Sequence, residues 1–374
     1  MRPFLLALTA AAAVVVSGPF VGELNTSLLN AFPDQHLGIV VAAIVIPAFV
    51  ALGVAAFRIR TRRVLRYGAF ILALAVAGGY AAALQPSYTE QFHLTEYAVL
   101  TFLFYRVWRD RGDTTALVLP VAAALVAGLA DEWFQWFVPS RIGELRDVVL
   151  NGVGISAGLL VALALDPPPG LRAFADDRSR RLLAGGLAVL VAAAAVFLQA
   201  VHLGHQIDDP AIGSFRSRYS TAELAAESQD RARRWSAAPL ESPPRISRED
   251  HYLSEAMYHV RRRNDAVAMR DFVTAWPENL VLERYYEPVL RYASPGSRWP
   301  PEQRAEIAAA VGVSSGDGPI AGAAGPQAFV SDASPLPIYA WSRGWVWGPA
   351  GLVLAALVVL ARPRAGAPAA AASA

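Results

Sequence analysis

The sequence predicts an all-α fold: a polytopic transmembrane helical bundle of about eight spans with an extracytoplasmic helical domain inserted before the last span. Three observations carry that prediction. Of 374 residues, 55% are hydrophobic and only 17% charged, too apolar a balance for one water-soluble globule. Apolar stretches about long enough to cross a hydrocarbon core recur along the chain. The arginines alternate between the connections. All 33 basic residues are arginine and the net charge is +2, which gives no case for nucleic-acid binding. Cysteine is absent, which excludes disulfides, thiolate metal sites and cysteine nucleophiles.

Taken in order, the stretches are 3–21, 38–57, 66–84, 92–108, 114–138, 147–165, 182–201 and 345–361. The first also has the look of a secretory signal, but no small-x-small cleavage site stands near Ser17 and Gly18, so a retained helix is expected. Short cytoplasmic loops are enriched in basic residues. One set of connections holds Arg58 to Arg66, Arg106 to Arg111 and Arg172 to Arg181, with Arg2 and Arg362 beyond the outermost spans. The alternate short loops hold only Arg141 and Arg146, so both termini are expected in the cytoplasm. Abundant arginine and alanine without lysine fits the coding bias of a GC-rich bacterium, which makes the bacterial cytoplasmic membrane the expected location.

The domain plan follows: a membrane bundle over 1–165, a seventh span at 182–201, an extracytoplasmic helical domain over 202–311, a flexible tether over 312–344, the last span at 345–361 and a disordered tail over 362–374. In the inserted domain, apolar residues recur at three- and four-residue spacing over 221–238, 248–275, 278–293 and 300–311. Pro288 is expected to kink the third of these helices, and Ser247 with Asp250 offers an N-cap for the second. The tether is read from a turn to Gly, Ala, Ser and Pro, which bury too little surface to fold.

Polar residues concentrate at one end of the middle spans. His93, Glu96 and Tyr97 begin the fourth; Asp131, Glu132 and Gln135 end the fifth; Arg141 lies in the loop; Asp147 and Asn151 begin the sixth. From Thr115 a helix rises about 26 Å to Glu132, which puts the carboxylates near the outer edge of the hydrocarbon, where charge costs least. Each group shares a helix face by its three- or four-residue spacing. Asn151, Gly154 and Gly158 make a stripe on which a neighbouring helix can pack closely and through which copies of the chain can pair. The plainer readings are an interfacial belt for Trp133, Phe134, Trp136 and Phe137, and simple charge neutralisation for Arg141.

These motifs, His93-x-x-Glu96-Tyr97, Glu132-x-x-Gln135 with Pro139-Ser140-Arg141, and Asp147-x-x-x-Asn151-x-x-Gly154, resemble the VanZ-like membrane protein family. The resemblance implies a helical membrane bundle over about residues 1–165 and a link, in the family's namesake, with low-level glycopeptide resistance. The added inserted domain and two further spans depart from a minimal family member.

Three function classes follow. The first is an accessory protein of the cell envelope that binds an amphiphilic or anionic molecule, a membrane lipid or cell-wall precursor, through His93, Glu96, Asp131, Glu132, Gln135, Arg141, Asp147 and Asn151. The second is a membrane-embedded enzyme with Glu132 or Asp147 as base and His93 as acid. The third is a transporter, ranked last because the mid-depth of the spans is nearly free of charge. No Gly-rich phosphate loop, nucleophile elbow or histidine pair at metal spacing occurs in the bundle, so no cofactor or metal is expected and the balance leans away from an enzyme. In the inserted domain, His202 with His205 reads as capping rather than metal binding. There Arg261, Arg262 and Arg263 read as a solvated face or, alternatively, as an anion or glycan surface.

Overall fold

The computed structural model describes residues 2–84, 88–135, 143–174, 176–238, 251–313 and 329–362. The chain divides into two units, one built from its first seven helices with the last, the other from residues Gln199–Trp345.

In the first unit the helices are α1 (Arg2–Ala31), α2 (His36–Arg58), α3 (Arg63–Leu84), α4 (Tyr88–Trp108), α5 (Thr115–Gln135), α6 (Leu145–Leu165) and α7 (Asp177–Phe197). The central helix α4 packs on α1, α5 and α6, while α3 lies on α6 and α7 on α5. Ala7 of α1 joins Tyr97, Leu100, Phe104, Ala124, Ala127 and Ile155 in one buried cluster, so α1 is part of the bundle and runs past the expected 3–21. A Cβ at Gly154 would stand 2.7 Å from the Leu94 carbonyl, and one at Gly158 would collide with Ala98. Small residues at that spacing let two backbones meet, as the stripe predicts.

One end of this unit is held by arginine. The last carbonyls of a helix lack intrahelical partners and carry partial negative charge. Arg66 donates to Ala164 O at 2.6 Å and Leu165 O at 2.9 Å, and Tyr105 donates to Asp166 O at 2.7 Å. Arg109 pairs with the Asp166 carboxylate at 2.8 Å. Buried Asp113 caps α5 by accepting from Thr115 N at 2.9 Å, and the Ser179 hydroxyl of α7 also donates to it.

Four described helices are long and apolar enough to cross a membrane: Thr115–Gln135, Leu145–Leu165, Asp177–His202 and Arg343–Ala361. Helices also fill the other expected stretches, and large apolar side chains stand outward, with Phe57, Trp345 and Leu352 each 76% exposed. A surface of that kind fits lipid rather than water.

The second unit departs from the all-α expectation by one hairpin, β1 (His205–Asp209) against β2 (Gly213–Ser217), antiparallel with Ile207 opposite Phe215. Asp209 turns the chain by accepting from Ala211 N at 2.9 Å, and Gly213 takes a φ of 120°. The alternating buried residues Ile207, Asp209, Phe215 and Ser217 are the period-two signal that the helical reading passed over. Helices α8 (Thr221–Ala237), α9 (His251–Ala268), α10 (Phe272–Tyr285) and α11 (Pro301–Ala310) follow. The expected helix 248–275 is two helices, because Arg270 adopts a left-handed φ of 59° and Asp271 then caps α10. Pro288 lies beyond the end of α10 rather than kinking it. Ser247 and Asp250 lie outside the described residues.

The expected tether is corrected over 329–342. Ser214 N donates to Phe329 O, and Ser331 N to Ser214 O, each at 2.9 Å, while Tyr339 N donates to His202 O at 2.8 Å. Ala333, Leu336 and Ile338 are buried, so a few apolar residues anchor a segment whose Gly, Ala, Ser and Pro content hid them. The chain ends its described course in α12 (Arg343–Ala361); most of the tail at 362–374 lies outside the described residues.

Candidate functional site

At the end of the first unit opposite the capping arginines, α4, α5 and α6 bring most of the sequence-derived residues together. The Tyr97 hydroxyl donates to Asp131 Oδ2 at 3.1 Å. His93 Nδ1 lies 3.8 Å from Glu96 Oε2, and the His93 and Tyr97 rings stack with centroids 6.1 Å apart. Tyr97, Asp131, Glu132 and Asn151 have no exposed surface, and Gln135 and His93 are nearly as buried. Glu132 Oε2 accepts from Glu144 N at 3.1 Å, which ties the end of α5 to the N-cap of α6. Both the amide oxygen and the amide nitrogen of Asn151 are without a hydrogen-bond partner among the described residues. Native structures rarely leave such groups unmet, and where they do a water, ion or ligand is a common reason.

Two glycines that the sequence does not mark as part of the polar cluster shape it. A Cβ at Gly128 would stand 3.2 Å from Asn151 Nδ2 and 3.4 Å from the Tyr97 ring. A Cβ at Gly18 of α1 would stand 2.7 Å from Asp131 Oδ1 and 3.4 Å from Gln135 Nε2. Both admit a polar side chain against helix backbone, and the signal for them was only a glycine inside an apolar run.

Asp147 is half-buried one turn before Asn151, and Arg141 lies outside the described residues. Trp133 and Phe134 are partly exposed, as belt residues are. Chemically, the cluster offers carboxylate and amide acceptors, amide and phenol donors and an imidazole, a set suited to a polar headgroup or to proton exchange.

The second unit treats its singled-out residues differently. His202 Nδ1 lies 2.9 Å from Pro337 O and His205 lies 4.0 Å from Glu223, so the two imidazoles have separate partners. Arg263 is buried, donates to Asn279 Oδ1 at 2.8 Å and lies over Trp299, which removes it from any open anion surface. Trp276, Glu278, Asn279 and Tyr286 are likewise interior. Burial raises the Glu255 carboxyl above its ordinary range, against the pull of hydrogen bonds from Ser217, Arg218 N and Tyr286. Asp209 is lowered, because bonds from Arg284, Ala211 N and Tyr285 outweigh desolvation. Among the described residues no group of side chains is arranged to hold a metal.

A helical bundle with apolar outward faces and a buried polar cluster at one end defines a membrane protein of the polytopic α class. Residues 36–166 match the VanZ/LLP1 family, so this part of the chain, from α2 to the end of α6, is VanZ-like. No curated protein and no solved structure matches the chain.

Proposed function

We propose that this is a cell-envelope membrane protein of eight spans, with both termini in the cytoplasm and residues 202–344 outside, whose polar cluster binds an amphiphilic or anionic envelope molecule. The observation that carries the reading is the convergence of Tyr97, Asp131, Gln135 and Asn151, all buried, at one end of a bundle whose other end is arginine-capped. The arginine bias supports the orientation. In this reading Arg141 holds the anionic group of a lipid headgroup or glycopeptide. His93 and Gln135 hydrogen-bond the ligand, and Glu96, Asp131, Glu132 and Asp147 orient the donors around it. Native mass spectrometry of the detergent-extracted protein tests it: a lipid or cell-wall fragment travels with the wild type and is lost from Arg141→Ala. Identical adducts on both proteins would remove Arg141 from the scheme.

The Tyr97 to Asp131 bond beside a His93 and Glu96 pair also favours a second reading, an enzyme acting on a lipid-linked substrate. Under that reading Glu132→Gln leaves abundance unchanged and abolishes turnover of an envelope lipid. A deletion strain with the lipid profile of its parent would argue against it.

A further inference from the structure

Along one side of α9 in the second unit runs an open groove of about 510 Å³, closed on its flanks by the start of α10 and by residues Asp332 to Ser334. That volume falls within the roughly 300–1,000 Å³ of small-ligand clefts. The α9 residues Tyr258, Arg261, Arg262, Asp265 and Ala266 share this side by their three- and four-residue spacing, and Met269 follows just past the end of the helix. The floor is fixed from within the unit. Fully buried Glu278 lies 2.6 Å from His259 Nδ1, accepts from Ser331 Oγ at 2.6 Å and holds Arg262 Nε at 3.0 Å. Arg262 also pairs with Asp332, so its guanidinium is oriented by an interior carboxylate on one side and a rim carboxylate on the other.

The chemistry of the lining selects a ligand class. Its two arginines face three aspartates, Asp265, Asp271 and Asp332, so there is no surplus of positive charge for a phosphate or carboxylate ligand. Arg262 is already matched, and Arg261 stands 3.9 Å from Asp265. What remains is the exposed Arg261 guanidinium and Asp265 carboxylate, planar groups able to bridge neighbouring hydroxyls, beside Thr274 and Ser334. Tyr258 adds a flat ring and Met269, 79% exposed, an apolar edge for C–H faces. We infer that this groove is a binding site for a neutral oligosaccharide. The site is separate from the polar cluster of the bundle and rests on none of its residues.

The experiment uses the full chain in nanodiscs, since glycoside detergents would themselves present sugar. Saturation-transfer NMR is recorded with chitotetraose, cellotetraose and maltotetraose, and with pyrophosphate as competitor. At least one sugar shows transfer, and Tyr258→Ala and Asp265→Asn each weaken it about tenfold. Asp265 is mostly exposed, so its neutralisation leaves amide-exchange protection of α9 and α10 unchanged. Pyrophosphate does not displace the sugar. Absence of transfer from all three sugars, unchanged affinity in both variants, or displacement by pyrophosphate each overturns the assignment; the last would make the groove an anion site.

Discussion

Glu255 and Glu278 of the second unit are as deeply buried as Asn151 of the bundle, yet the three are treated in opposite ways. Glu255 accepts from Ser217 Oγ at 2.6 Å, Arg218 N at 2.9 Å and the Tyr286 hydroxyl at 2.8 Å. Glu278 has His259, Ser331 and Arg262 around it. Asn151 has no hydrogen-bond partner among the described residues. A buried carboxylate whose oxygens are met stabilises one packing and offers no free acceptor to a ligand, whereas an unmet amide in an apolar bundle carries a desolvation cost that an incoming polar group can relieve. Depth of burial alone therefore does not mark a site; the state of the hydrogen bonds around the buried group does.

The comparison breaks most visibly at Glu278. Glu278→Ala leaves His259 and Arg262 facing a cavity without their carboxylate, and loss of one partner of a buried ionic network costs about 3–5 kcal/mol. Hydrogen exchange of α9 and α10 should accelerate accordingly. Unchanged protection there would mean that the partnered carboxylate contributes little and that the contrast with Asn151 is empty.

Asn151→Leu should behave in the opposite sense. Removing an amide that bonds nothing inside the described structure costs the fold little, while retention of the envelope ligand falls about tenfold. Thermal stability and ligand retention measured on the same sample separate the two effects. If the variant instead loses about 1–3 kcal/mol of stability, the amide serves the fold and the site argument loses its strongest member.

Glu255 adds a pH dependence with a definite sign. Its carboxyl is raised by burial above the ordinary value of 4.5, so the folded unit holds this proton at a pH where the unfolded chain has released it. The folded state binds more protons above that value, and this contribution to stability declines as pH rises from 4.5 toward the raised folded pKa. Unfolding of the second unit followed as pH is raised from 4.5 should show the decline in the wild type and a flatter profile in Glu255→Gln. A rise in stability with pH assigned to Glu255 by that pair would reverse the sign.

Much of this arrangement is legible in the sequence, for identifiable reasons. Long apolar runs declare helices because no other element keeps that pattern over such lengths, and three- and four-residue spacing places His93 with Glu96 and Asp147 with Asn151 on shared faces. Contacts between helices are not written in either helix alone, which is why Gly18 over Asp131 and Gly128 over Asn151 emerge only from the fold. The hairpin at His205–Ser217 was hidden by its brevity and by the scarcity of β-branched residues. The anchoring of Ser331, Leu336 and Ile338 depends on partners far away in the chain, which composition does not register.

The smallest effect tests how completely the second unit closes its backbone polar groups. Two of its helices end in the same double-bonded turn. After α9, Asp271 N donates to Ala266 O at 2.8 Å and Arg270 N to Val267 O at 3.0 Å; after α11, Val313 N donates to Ala308 O at 2.9 Å and Gly312 N to Ala309 O at 3.1 Å. Both turns need a left-handed residue, supplied by Gly312 at φ 74° and by Arg270 at φ 59°. A side chain at that position crowds its own backbone, a penalty of about 1–2 kcal/mol that glycine does not carry, while glycine costs more entropy to order, about 0.5–1 kcal/mol. Arg270→Gly should therefore stabilise the unit by up to about 1 kcal/mol with both hydrogen bonds kept, read as slower exchange of the Asp271 amide. Should the variant destabilise instead, the Arg270 side chain supplies a contact that outweighs its strain, and the Gly312 end alone would represent an unstrained closure.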